Sequence, residues 1–219
     1  MQSNGFSCVI FDLDGTLTQT NPLIFASFNH ITEKYLGKTF TPREIISWFG
    51  PPEEGAIEHL LGADRVDEVM DELCEFYQAR HSELARLHAG IPEILRHLQE
   101  REIRLAVFTG KGSRTADITL KEFNIGSYFE LVVSGNDVVH HKPHPEGIQK
   151  ILGHFALDPS HVLMIGDSLA DIKASRAAGV KVAAVLWDSY DKERMLAAGA
   201  DFVFHNVGEL QDWFRHSMN

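Results

Sequence analysis

Four short segments of this 219-residue chain carry side chains whose types and spacing could do chemistry. The first is Asp12-Leu13-Asp14-Gly15-Thr16. An ionised carboxylate is a competent nucleophile towards phosphorus. A second carboxyl two residues on can protonate a leaving oxygen and later deprotonate an attacking water. The same residues could also be an ordinary acidic turn. The second segment, Thr109-Gly110-Lys111-Gly112, offers a hydroxyl and free backbone N–H groups ahead of a helix start. That pattern suits a phosphate and equally a plain strand-to-helix turn. The third is Lys142-Pro143, within a run that also holds His140, His141 and His144. Proline biases the lysine towards extended backbone. Its ammonium could neutralise phosphoryl oxygens, although a lone lysine is also an ordinary surface charge. The histidines make a poor metal cluster, since no matching set of soft ligands stands elsewhere. The fourth is Gly166-Asp167-Ser168-Leu169-Ala170-Asp171. Its carboxylates suit Mg²⁺, which takes few protein oxygens and keeps several waters. Helix capping by Ser168 or Asp167, with Asp171 favoured by the helix dipole, accounts for the same residues.

Each segment follows a run that reads as a strand. Cys8 to Leu13, Leu105 to Thr109, Leu131 to Val133, Val162 to Ile165, Val182 to Leu186 and Phe202 to Phe204 are short, apolar and rich in β-formers. Short apolar runs of this kind predict strands buried on both faces. Amphipathic segments between several of them, Thr115 to Phe123, Glu146 to Phe155 and Leu169 to Ala178, predict helices, the last closed by Gly179. Strand and helix in alternation predict an α/β fold with a parallel sheet covered on both sides. Ligands of such sheets bind beyond the C-terminal strand ends, which is where all four segments fall.

The stretch 18–87 breaks the pattern and has no convincing strand. Leu23, Ile24, Phe28 and Ile31, and then Val66, Val69, Met70, Leu73, Phe76 and Tyr77, follow helical spacing. Trp48-Phe49-Gly50-Pro51-Pro52 breaks the helices between them. An all-helical insert is expected there, with Trp48 and Phe49 as packing residues. Lys38 and Arg80 are weaker candidates for anion contacts.

Lys and Arg number 20 against 31 Asp and Glu, a net charge of −11. That argues against a nucleic-acid or anionic-membrane partner and leaves a small anionic substrate open, because a metal and a lysine can reverse the field locally. No apolar run approaches the ~18 residues of a membrane span. The N-terminal stretch lacks the pattern of a signal peptide. The two cysteines, Cys8 and Cys74, are expected as buried thiols in a reducing, cytoplasmic setting.

Taken together and in this order, the four segments resemble the haloacid dehalogenase-like superfamily, over most of the chain. Within it the chain is most similar to the phosphoglycolate phosphatase and pyrophosphatase-like branch. The resemblance implies a Rossmann-like parallel-sheet core from 1–17 and 88–219 and a helical cap domain over 18–87. It implies an Mg²⁺-dependent phosphatase acting on a small phosphorylated metabolite through an aspartyl-phosphate. Asp12 would be nucleophile and metal ligand, and Asp14 general acid/base and metal ligand through its carbonyl. Thr109 and the Gly110 N–H would hold phosphoryl oxygens, Lys142 would counter their charge, and Asp167 and Asp171 would complete the metal site. Where that branch often has Asn, this chain has Gly110. A phosphomutase could use the same machinery on a sugar phosphate, and a signalling receiver also carries a phosphorylated aspartate. Monomer and homodimer are equally compatible with the sequence.

Overall fold

All four residues of Cys8–Phe11 (β1) are fully buried, as expected of a strand in the middle of a sheet with both faces covered. The computed structural model describes residues 5–217, so the first four residues of the expected N-terminal segment and the last two of the chain lie outside the described residues. After β1 come a short β2 (Thr18–Gln19) and four helices: α1 (Asn21–Leu36), α2 (Pro42–Ile46), α3 (Glu53–Leu61) and α4 (Val66–Leu84). A second short strand, β3 (Arg86–Leu87), leads to α5 (Ile91–Glu100), β4 (Arg104–Phe108), α6 (Ser113–Glu122), β5 (Leu131–Val133) and α7 (Glu146–Phe155). Strands and helices then alternate through β6 (Val162–Gly166), α8 (Leu169–Ala178), β7 (Lys181–Val185), α9 (Lys192–Ala197), β8 (Phe202–Phe204) and α10 (Val207–Ser217).

Six strands form one parallel sheet in the order β5-β4-β1-β6-β7-β8. The chain leaves β1 to one side for β4 and β5, then returns to the other side for β6. That reversal opens a crevice beyond the carboxyl end of β1, the usual ligand position in such sheets. Side-chain alternation sets the layers. Val9 and Phe11 of β1 face a cluster with Ile94, Leu95 and Leu98 of α5, Leu120 of α6 and Phe214 of α10. Cys8 and Ile10 face the opposite cluster with Ile148 and Ile151 of α7. Both cysteines are buried free thiols. Among the described residues, no helix is long and apolar enough to cross a membrane.

Helices α1 to α4 have a core of their own. Leu23, Phe28 and Ile31 of α1 meet Val69, Leu73 and Tyr77 of α4, with Ile45 and Ile57 closing the ends. Trp48 packs on Phe28 and Phe40 with ring centroids 5.6 Å and 4.9 Å away. The absence of strand expected over 18–87 needs correction: β2 and β3 pair antiparallel, Thr18 opposite Leu87, at the two points where the insert joins the sheet. Two-residue strands are too short to leave a periodic signal. Boundaries also shift. The first strand stops at Phe11 rather than Leu13, because Asp12 and Leu13 already belong to the turn that carries Gly15 at φ 81°. Helix α6 starts at Ser113, with Gly112 as its N-cap, two residues ahead of the expected Thr115.

Candidate active site

Asp12 leaves the carboxyl end of β1 and its N–H donates to the Ile165 carbonyl of β6 at 2.9 Å, which aims the side chain into the crevice between these strands. The neighbouring loop comes close only because residue 15 is glycine. A Cβ there would sit 2.3 Å from an Asp167 oxygen. Thr16 donates its hydroxyl to Asp167 at 3.2 Å, and the Trp187 indole N–H donates to the Thr16 carbonyl at 3.2 Å.

Lys142 reaches the site from the long connection after β5, and its peptide bond to Pro143 is cis. Its Nζ lies 3.1 Å from Asp12 Oδ1 and 2.6 Å from Asp171 Oδ1, with a side chain only 6% exposed. Burial alone would strip the ammonium of its proton, but Asp12 and Asp171 outweigh it, and its proton affinity ends above the ordinary lysine value. Asp171 is fully buried. Its other oxygen accepts from the Ser168 N–H and hydroxyl at 3.1 Å and 2.6 Å, and Ser168 Oγ caps α8 in return. Capping and ion pairing are thus both present in one residue.

Carboxylates crowd this end of the sheet. Burial pushes the Asp12 carboxyl up, Lys142 opposes the push, and Asp171 and Asp14 add to it. The balance lies at about 7 against an ordinary 3.8. Asp167 is also held well above the usual range, by burial first and then by Asp12 and Asp171. One oxygen each of Asp12, Asp167 and Asp171 lie within 4.8 Å of one another. An oxygen-only donor set with surplus negative charge fits a hard divalent cation such as Mg²⁺.

Protons and such a cation compete for the same oxygens. Carboxyls held high bind protons more tightly folded than unfolded, so without a cation this cluster weakens the fold as pH climbs from about 4 through about 7. Millimolar Mg²⁺ is therefore expected to raise Tm by about 5 °C at pH 8 and by little at pH 5. Thermal melts with and without Mg²⁺ at both pH values check this. Equal shifts would exclude these carboxylates as ligands.

Thr109 and Gly110 follow β4. Thr109 is buried, its N–H donates to the Val133 carbonyl at 3.0 Å, and its hydroxyl accepts from the Lys111 N–H at 3.1 Å. A Cβ on Gly110 would lie in ordinary contact, 3.5 Å from the Gly50 carbonyl oxygen of the helical insert. Asp14 faces the crevice from the β1 side and accepts a hydrogen bond from the Thr20 hydroxyl.

Lys111 and Glu53 have no role in the sequence reading, yet the structure buries them together. Lys111 Nζ lies 3.5 Å from Asp14 Oδ2, 3.5 Å from Glu53 Oε1 and 4.6 Å from the Tyr77 ring centroid. Glu53 is the first residue of α3. Its carboxylate accepts from the Gly112 N–H at 2.7 Å and the Thr115 hydroxyl at 2.6 Å, which supplies the cap that α6 lacks locally. Burial pushes the Glu53 carboxyl up. Lys111 and the Thr115 hydroxyl outweigh it and hold it below the usual range. The stability this residue lends is thus present at neutral pH and fades as pH falls through the carboxylate range. Removing it leaves the Gly112 N–H and Lys111 short of a partner, a cost of about 3 kcal/mol. Glu53→Ala is expected to lower Tm at pH 7 by about 5–10 °C and to speed amide exchange over 50–56 while β1 stays protected. Unchanged exchange there would mean the contact does not hold the insert. No sequence signal marks these contacts, since Gly112 and Thr115 lie 59 and 62 residues along the chain from Glu53.

Other candidates fall away from the site. Arg80 pairs with Glu83 at 2.8 Å on an exposed helix face, and Lys38 lies over the Phe40 ring. The structure does gather His140, His144 and Glu146 on the surface. Glu146, however, already accepts from the Val139 and His140 N–H groups and pairs with Lys150. The expectation for Phe49 is corrected: it is 43% exposed and packs in no core. It instead lines the cavity between the sheet edge and the insert, together with Gly50, Pro51 and Pro52 that follow it.

Asp12, Asp14, Thr109, Gly110, Lys142 and Asp167 line a cavity of about 610 Å³ between the sheet edge and the insert. Known proteins share this fold. A predicted phosphoglycolate phosphatase from Haemophilus somnus superposes with a TM-score of 0.83 at 23% identity, over 97% of this chain and 99% of that one. CbbY from Rhodobacter sphaeroides, solved with phosphate, superposes with a TM-score of 0.80 at 23% identity, over 94% and 96%. At these identities the likeness is one of fold. In sequence, pyrophosphatase PpaX of Anoxybacillus flavithermus is 34% identical over 202 residues, covering 92% of this chain and 94% of its own. The same enzyme of Bacillus velezensis is 31% identical over 210 residues, covering 96% and 97%. The profile of the haloacid dehalogenase-like hydrolases matches residues 9–185. This chain belongs to the haloacid dehalogenase-like hydrolase family.

Proposed function

We propose that the chain is an Mg²⁺-dependent phosphatase that hydrolyses a small phosphorylated metabolite through a phosphorylated Asp12. The observation that carries this reading is the pairing of Asp12 with Lys142 at 3.1 Å, at the carboxyl end of the central strand and on the wall of the cavity. A nucleophilic carboxylate held by a buried ammonium has both the attacking oxygen and a positive charge for the phosphoryl oxygens it meets.

In the first step an Asp12 oxygen bonds to phosphorus, and the bond from phosphorus to the leaving oxygen breaks with its electron pair. Asp14 gives that oxygen a proton. The Thr109 hydroxyl and the Gly110 N–H hold phosphoryl oxygens in place. In the second step Asp14 takes a proton from water, the water oxygen bonds to phosphorus, and Asp12 is released together with phosphate. Mg²⁺, held by Asp12, Asp167, the Asp14 carbonyl and Asp171 directly or through water, supplies charge neutralisation when bound. Asp171, with one oxygen on Ser168 and the other on Lys142, also orients the lysine. The helical segment 18–87 acts as a cap over a core of 1–17 and 88–219, excluding water during the reaction.

The test is phosphate release from a panel of small phosphate esters, phosphoglycolate and pyrophosphate. Release is expected with Mg²⁺ and is expected to fall to background in EDTA and recover on adding Mg²⁺ back. Phosphate release that EDTA leaves untouched would remove the metal from the mechanism. Transfer of phosphate to a second hydroxyl of a sugar phosphate, without release, would replace hydrolysis by a mutase reaction.

A further inference from the structure

Among the described residues, three cations line the cavity: Lys111, Lys142 and Arg194. Lys142 is clamped, with Asp171 at 2.6 Å and Asp12 at 3.1 Å. Lys111 is held differently. Its side chain is only 2% exposed, yet its two carboxylate neighbours, Asp14 and Glu53, both stand back at 3.5 Å. Charge-assisted hydrogen bonds close to about 2.7–2.9 Å, so neither contact is one, and the Lys111 Nζ has no hydrogen-bond partner. The carboxylates spend their short bonds elsewhere. Asp14 accepts from the Thr20 hydroxyl, and Glu53 accepts from the Thr115 hydroxyl at 2.6 Å and the Gly112 N–H at 2.7 Å.

A buried ammonium with unspent donors is costly unless a further acceptor completes it. Burial opposes its proton, but Asp14, Tyr77 and Glu53 outweigh burial and keep the charge. Its place points to the missing acceptor. Lys111 lies two residues after Thr109, on the wall that also holds Asp14. With Thr109 on the phosphoryl group and Asp14 on the leaving oxygen, the ammonium faces the part of the substrate next to that oxygen. Arg194 adds positive charge on the same wall. Its side chain is 71% exposed and pairs with Asp191 at 3.0 Å, an exposed contact that holds it weakly.

Building on the phosphatase reading above, we propose that Lys111 is a specificity residue that receives a second acidic group on the leaving side of the substrate, with Glu53 as its built-in competitor. The substrate class is then a phosphoanhydride such as pyrophosphate, or the phosphate ester of a short hydroxy acid, rather than the ester of an uncharged alcohol. As the phosphorus–oxygen bond breaks, the leaving oxygen takes the electron pair and a proton from Asp14, while the neighbouring anionic oxygens rest on the N–H groups of Lys111. Glu53 acts the other way: its charge stands beside the same ammonium and repels the incoming anion.

Phosphoglycolate and its primary amide differ by one charge at nearly the same shape. The amide has the better leaving alcohol, so a preference for the acid cannot come from leaving-group chemistry. With Mg²⁺, kcat/KM for the acid is expected to exceed that for the amide by roughly 10- to 100-fold, the yield of one hydrogen bond between charged groups. Glu53→Gln keeps the lysine and removes its competitor, and should raise the acid-to-amide ratio at least threefold. Glu53→Gln combined with Lys111→Met makes the buried pair neutral on both sides and should bring the ratio near one, in protein shown folded by near-UV circular dichroism. Whichever of pyrophosphate and phosphoglycolate loses more against the amide in that double variant carries the group that Lys111 receives. A wild-type ratio at or below one, or a ratio that stays at the wild-type value in the double variant, would overturn the Lys111 site and leave the phosphatase reading standing. Should the double variant turn over neither compound, Glu53→Gln decides, and a ratio unchanged or lowered there overturns the site. Phosphate release by the wild type from none of these compounds would overturn both.

Discussion

Asp12→Asn is expected to lower phosphate release by at least about 10⁴-fold, because a neutral amide is a far weaker nucleophile towards phosphorus than a carboxylate and the remaining groups act as a unit with the nucleophile. Stability is expected to move the other way. Asp12 titrates near 7 in the fold against an ordinary 3.8, so its ionised form is opposed by burial and by its carboxylate neighbours. Asn fills nearly the same volume without that charge. At pH 8 and without Mg²⁺ the variant should therefore melt above the wild type, and the difference should shrink as pH falls towards 5, where Asp12 is itself protonated. Activity lost together with a raised Tm separates chemistry from unfolding, which would lower both. A variant that still releases phosphate within tenfold of the wild type would end the Asp12 mechanism.

Lys142→Met has the largest expected cost to the fold. Among the described residues, the ammonium is the only cation set against both Asp12 and Asp171. Met keeps much of the stem that lies on the Phe108 ring, whose centroid is 4.6 Å from Nζ. What is lost is the charge. Removing one partner of a buried ionic group costs about 3–5 kcal/mol, which for a chain of this size is roughly 10 °C in Tm. The loss should be full at pH 8 and small near pH 5, since without the ammonium the buried carboxylates hold protons even more tightly and can neutralise themselves. Mg²⁺ should restore part of the Tm. Turnover should stay down by about 10³-fold, because the phosphoryl oxygens and the ordering of Asp12 both lose the lysine. Melting curves at the two pH values and phosphate release with saturating Mg²⁺ test these expectations. An unchanged Tm at pH 8 would show that the cluster is screened some other way.

Much of this was legible in the residues. Six apolar runs became the six strands of one parallel sheet, and Glu146–Phe155 and Leu169–Ala178 became helices over the expected residues. Those patterns are read easily because they are local: a buried strand or an amphipathic helix repeats its signature every two to four residues. The insert was visible as helix without strand, but its two-residue ribbon was not, because pairing between Thr18 and Leu87 is a contact across the whole insert. Asp12, Thr109 and Asp167 could be nominated because each directly follows a strand, and parallel strands deliver their carboxyl ends to one edge; Lys142, nine residues beyond β5, reaches that edge only through the long connection after it.

What the sequence by itself determined was the list of groups that meet at that edge and the alternation that takes them there. Tertiary structure alone decided their partners and their charge state. Only the fold places Lys142 between two carboxylates, gives Asp171 both a cap and an ion pair, and brings Glu53 of the insert onto the N-terminus of α6. It also decided that Trp48 packs on the rings of Phe28 and Phe40 while Phe49, the next residue, is left 43% exposed. The reason is physical: proton affinity and side-chain exposure depend on desolvation and on neighbours within a few ångströms, and those neighbours come from segments far apart in the chain.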